Sequence, residues 1–141
     1  MPAPKIFVDT NILVYAHDTT AGRKREIAKE TILDLWNSET GVLSTQVLQE
    51  LYVSLTQKIP SPLDGKNARA IIEDLCAWKV MVNDEQAVLA AIDLQGQYRL
   101  SFWDSLILEA ARRSGATMLY SEDLSHGQQV EGIKIVNPFN T

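Results

Sequence analysis

The chain predicts an α/β domain with a mainly parallel central sheet flanked by helices. Three observations carry this. Short apolar or β-branched runs alternate with longer segments of helical periodicity. No repeat, low-complexity segment or long linker interrupts that alternation. The length of 141 residues falls within the usual range of one domain, enough to bury a single core.

In chain order, Lys5–Val8 reads as a buried strand and residues 12–16 as the opening of a short helix. Residues 22–37 follow as an amphipathic helix, with Ile27, Thr31 and Leu35, and Ile32 with Trp36, recurring at three and four residues. Its basic residues gather in the first turns. Gly41 turns the chain into a short strand at 42–44, and residues 45–57 form a helix with Val47, Leu48, Leu51 and Leu55 on one face. Pro60 and Pro62 end that pattern. Residues 63–78 carry Ile71, Ile72, Leu75 and Cys76 at helical spacing, with Asp64 as N-cap. A strand at 79–82 and a helix at 85–95, with Val88, Ala91 and Ile92 facing inward, come next. Phe102–Arg113 is the clearest helix, capped by Ser101 and ended by a left-handed Gly115. Strands at 117–120 and Ile133–Val136 close the domain around a polar loop at 121–132.

Composition narrows the function. A formal charge of −5 argues against a surface that tracks nucleic acid throughout, since phosphate neutralisation needs clustered cations. Two basic clusters exist, Arg23, Lys24 and Arg25 with Lys29, and Arg112 with Arg113; each reads most simply as a solvated helix face. Cys76 is the sole cysteine, which excludes an intrachain disulfide and cysteine-rich zinc sites. His17 and His126 lack the paired spacing of a zinc site and read as surface or structural residues. No apolar run approaches the roughly 20 residues that cross a bilayer, and the N-terminus has no secretory h-region, so a cytoplasmic location without membrane contact is expected.

Parallel sheets bind ligands at the carboxyl ends of their strands. Four acids fall near strand ends or helix starts: Asp9, Glu50, Asp104 and Asp123. Each has a plain structural explanation. Asp9 can cap the segment starting at Thr10, Asp104 stands in a capping-box spacing with Ser101, Asp123 can bend its loop, and Glu50 can be solvated. Together, however, carboxylates converging on one sheet edge repel, and the repulsion is relieved by protonation, basic partners or a bound cation. No Lys or Arg neighbours Asp9, Asp104 or Asp123 in sequence, which points to a hard divalent ion such as magnesium or manganese. Hydrolysis of a phosphodiester is the chemistry such a site suggests.

The segments VDTNILVYA around Asp9, LSTQVLQEL around Glu50, SFWDSLILEAA around Asp104 and LYSEDLSHGQ around Asp123, with the closing IVNPF, resemble the PIN-domain ribonucleases, specifically the VapC-type toxins of prokaryotic toxin-antitoxin pairs. The resemblance covers about residues 6–139 and implies a single PIN-like domain over 1–141. It implies that Asp9 and Asp104 are the principal ligands of Mg2+ or Mn2+, that Asp123 completes the cluster, and that Glu50 binds a metal directly or through water or orients the nucleophile. Thr10, Asn11 and Ser121 match positions that support the site through hydrogen bonds. One departure stands out: relatives often carry Thr, a variable residue and Asp where this chain has Ser121, Glu122 and Asp123, so Glu122 competes with Asp123 for the fourth role. The resemblance further implies an RNA substrate, a cognate antitoxin and a homodimer.

Two other classes stay open. A receiver-like or phospho-aspartyl switch or phosphatase also places an Asp after its first strand, though Asn11 stands where such phosphatases want a second Asp and Lys134 begins its strand rather than ending it. A PIN-like RNA-binding module without catalysis is the other.

Overall fold

The computed structural model describes residues 3–140. β1 (Lys5–Val8) runs through Asp9 into α1 (Thr10–His17), and α2 (Arg23–Ser38) returns the chain to β2 (Gly41–Ser44). After β2, α3 (Thr45–Val53) passes into a π-helical turn at Ser54–Lys58, then α4 (Gly65–Leu75) leads to β3 (Lys79–Met81). α5 (Glu85–Tyr98) and α6 (Phe102–Arg113) precede β4 (Ala116–Tyr120), β5 (Gln129–Val130) and β6 (Ile133–Val136).

The strands pair in the order β3-β2-β1-β4-β6-β5. All pairings are parallel except that of β5 with β6. β1 is central because its apolar residues must be covered on both faces: Phe7 pairs with Val42 and with Leu119, and all three are buried with Val8 and Leu43. Because β1, β2 and β4 are parallel, the residues that follow them emerge at one edge of the sheet. Those residues are Asp9, the start of α3, and Ser121.

Local chemistry sets the helix starts as expected. Asp64 accepts from Asn67 N at 2.8 Å and Ser101 from Asp104 N at 3.0 Å, while Asp84 caps α5 from Ala87 N at 2.9 Å and is paired with Arg113. Gly115, just past α6, takes φ +79°, where a side chain would be strained.

Four sequence expectations need correction. The helix expected over 45–57 is α-helical only to Val53; from Ser54 it widens, with Ile59 N donating to Ser54 O at 3.1 Å, before the prolines stop it. The helix expected over 63–78 begins after its Asp64 cap and ends at Leu75, leaving Trp78 to pack flat over Gly41 and against Trp36, ring centres 5.8 Å apart. α5 buries Ala87, Ala91 and Leu94, not Val88 and Ile92, because the two alanines let its backbone approach α6 closely; Val88, Leu89 and Ile92 face outward. In α2 the buried pair is Ala28 and Leu35, with Trp36 at the surface. The polar loop at 121–132 also contains β5, a two-residue antiparallel strand too short to show a period.

Candidate active site

Asp9 caps α1 at the end of the central strand, accepting from Thr10 N at 2.7 Å through Oδ1, while Ser121 Oγ, from the end of β4, donates to Oδ2 at 2.8 Å. At 6% exposure it has lost nearly all its water. That burial pushes its carboxyl up to about 6, against the two hydrogen bonds that favour the anion; the charges of Glu50 and Asp123 push the same way as burial. The helix cap and the cleft acid are therefore one residue.

The other three acids arrive from different elements. Glu50, on α3, is held by Thr10 Oγ1, which donates to Oε1 at 2.9 Å. Asp104 stands in the first turn of α6, its carboxyl raised by burial, which outweighs the Ser101 hydroxyl, and raised further by the charge of Asp123. Asp123 is reached by Asn11 Nδ2 at 3.0 Å. All four line one cleft of about 610 Å³. Among the described residues none of the four forms an ion pair.

The supporting polar residues tie the loop after β4 to α1. Ser121, fully buried, donates to Asp9 and accepts from Asp123 N at 3.2 Å. Asn11 spans the two following residues, accepting from Glu122 N at 3.3 Å while donating to Asp123. Glu122 itself is occupied elsewhere: Tyr15 Oη donates to it at 2.7 Å and Lys24 is ion-paired with it. Burial opposes its charge, but the hydrogen bonds from Lys24 and Tyr15 prevail and hold it below the usual glutamate range. Asp123, not Glu122, lines the cleft.

Sequence reading missed several residues of this cleft. Lys58 reaches it from the π-helical turn, and Trp103 stands 63% exposed at its wall with its carbonyl bonded to Gln46 Nε2 at 3.2 Å. Lys24 was read as part of a solvated basic face, and nothing local signals a partner 98 positions away. His17 and His126 are absent from the cleft lining; burial, with Arg25 and Lys29 nearby, holds His17 below its usual range, and His126 Nδ1 accepts from Asn137 N at 2.9 Å.

The acids offer oxygen donors only, and Lys58, the cation in the cleft lining, is not ion-paired with any of them among the described residues. Among the described residues no three His, Cys, Asp or Glu side chains close up as a metal-holding group. Oxygen donors of this kind are the class magnesium or manganese takes, with waters and substrate phosphate filling the remaining positions.

The profile of the PIN domain family matches residues 6–128. The chain belongs to the PIN-domain family. Solved structures agree on the fold. The PIN domain here superposes on VapC20 of Mycobacterium tuberculosis, a sarcin-ricin loop cleaving toxin, with TM-score 0.65 at 21% identity, covering 84% of this chain and 90% of that one. A toxin-antitoxin complex from Klebsiella pneumoniae gives TM-score 0.70 at 20% identity, covering 96% of this chain and 98% of that one. DNA-bound VapBC from Salmonella typhimurium gives 0.64 at 19%, with 94% and 97% covered. No curated protein sequence matches the chain.

Proposed function

We propose that this PIN domain is a metal-dependent endoribonuclease, the toxin of a type II toxin-antitoxin pair. One observation carries the reading: four carboxylates from four separate elements share one cleft without an ion pair, and the innermost, Asp9, is raised by burial and by its acidic neighbours. An acidic cluster built at this cost to folding is what a catalytic cation needs.

Asp9 and Asp104 would hold Mg2+ or Mn2+, with Asp123 completing the set and Glu50 binding directly, through water, or as the group that orients the attacking water. Such an ion, when bound, supplies charge neutralisation at the phosphate and activation of water. Ser121 and the Thr10 amide keep the Asp9 carboxylate in one orientation, and the Thr10 hydroxyl does the same for Glu50. Asn11 fixes Asp123. Water adds to phosphorus, the P–O bond to one ribose breaks, and the leaving oxygen takes a proton.

The toxin-antitoxin complexes among the structural neighbours support a cognate antitoxin, while a homodimer and action in the cytoplasm extend the reading from the family resemblance; among the described residues no helix is long and apolar enough to cross a membrane. A phospho-aspartyl switch finds less support. Lys134, the one late lysine on a strand, does not line the cleft.

The test is incubation of protein freed of any partner with structured RNAs. Cleavage is expected with magnesium or manganese, and Asp9→Asn or Asp104→Asn should lower its rate by at least about a hundredfold. Cleavage that persists in EDTA, or in both variants, would sink the mechanism.

A further inference from the structure

Asp104 and Asp123 stand on a boundary. Besides the main cleft they line a second cavity of about 200 Å³, and they are the two residues the cavities share. Arg99, Ser125 and Gln128 contribute other polar groups to that second cavity.

A polynucleotide carries a negative charge at every linkage, so a strand whose scissile phosphate lies at Asp104 and Asp123 must place neighbouring phosphates to either side of them. Those neighbouring phosphates remain charged, so a cation on either side of the acids favours the strand. Each side has one. Lys58 is the cation lining the cleft and Arg99 the cation lining the second cavity, and neither forms an ion pair among the described residues.

Arg99 ends α5 at φ +57°, ψ +40°, its N–H bonded to Gln95 O at 3.1 Å, a left-handed position where glycine is unstrained.

We propose that the second cavity is a phosphate subsite, in which Arg99 receives the phosphodiester group next to the scissile one. The proposal rests on the ribonuclease reading and deepens it. A contact made through the Arg99 guanidinium to a backbone phosphate reads strand charge and not sequence.

Arg99→Gly separates binding from folding, because it removes the cation and relieves the left-handed backbone together. A labelled single-stranded RNA is titrated onto non-cleaving Asp9→Asn protein with magnesium present, and anisotropy is read over a range of salt. Adding Arg99→Gly should weaken binding roughly fivefold and flatten the salt dependence by about one counterion. The thermal midpoint should hold or rise, and Arg99→Lys should retain most of the affinity. Equal affinity and salt slope in Arg99→Gly overturn the subsite, and if the wild type still cleaves RNA the ribonuclease reading stands without it. A loss confined to the hold on a protein partner overturns it as well. A wild-type protein that neither binds nor cleaves RNA removes both.

Discussion

Asp9 shows how one side chain serves the local chain and the cleft at opposing cost. As a cap it satisfies α1, yet burial lifts its carboxyl from 3.8 to about 6. The folded protein then holds this proton more tightly than the unfolded chain, so the anion's destabilisation sets in as pH rises from about 4 to about 6 and is complete above that. Asparagine caps equally well and carries no charge. Asp9→Asn is therefore expected to stabilise the metal-free protein by about 2–3 kcal/mol near pH 7, a gain that shrinks towards pH 4. Denaturant unfolding at both pH values checks it, and no gain at neutral pH would contradict the burial argument. Asp9, Asp104 and Asp123 stood out in the sequence because each follows a strand or opens a helix, and Glu50 because it borders the apolar stripe of its helix. The engagement of Glu122 was not, because Tyr15 and Lys24 lie 107 and 98 positions away.

Helices show which periodic signals suffice and which do not. The caps Asp64 and Ser101 act within three residues, and their bonds form as their spacing implies. The inward face of α5 was ambiguous, since the helix has two apolar stripes and only its neighbour α6 selects the alanine-rich one. The π-helical turn is likewise invisible to a period of 3.6, and it is this turn that carries Lys58 to the cleft. At the start of β2, a Cβ on Gly41 would collide with the six-membered ring of Trp78. Gly41→Ala should cost about 1–3 kcal/mol through displacement of that ring, read as a lower denaturation midpoint with unchanged m-value. A midpoint equal to the wild type would mean that the ring moves freely.

At the scale of the molecule, the cluster at Arg112 and Arg113 is spent within the fold, whereas of the first cluster Lys24 is tightly paired and Arg23 and Lys29 form no ion pair among the described residues. Lys24 pairs with Glu122, Arg113 with Asp84, and Arg112 doubly with the buried Glu109 at 2.7 and 2.8 Å. The outward stripe of α5 leaves Leu89 56% and Ile92 50% exposed, alongside the exposed apolar side chains Leu33, Val82 and Trp103 elsewhere in the chain. The sequence by itself determined the α/β alternation and the helix caps, because periodicity and capping act over a few residues, and through its four motifs it nominated the candidate acids with Thr10, Asn11 and Ser121. Only the tertiary structure decided which apolar stripe turns inward, that Asp9 is buried enough to hold its proton to about pH 6, that Glu122 is tied to α1 and α2, and that Asp104 and Asp123 divide two cavities. Those outcomes depend on pairings across the sheet between residues far apart in the chain, where burial and charge are set by neighbours that no local spacing records.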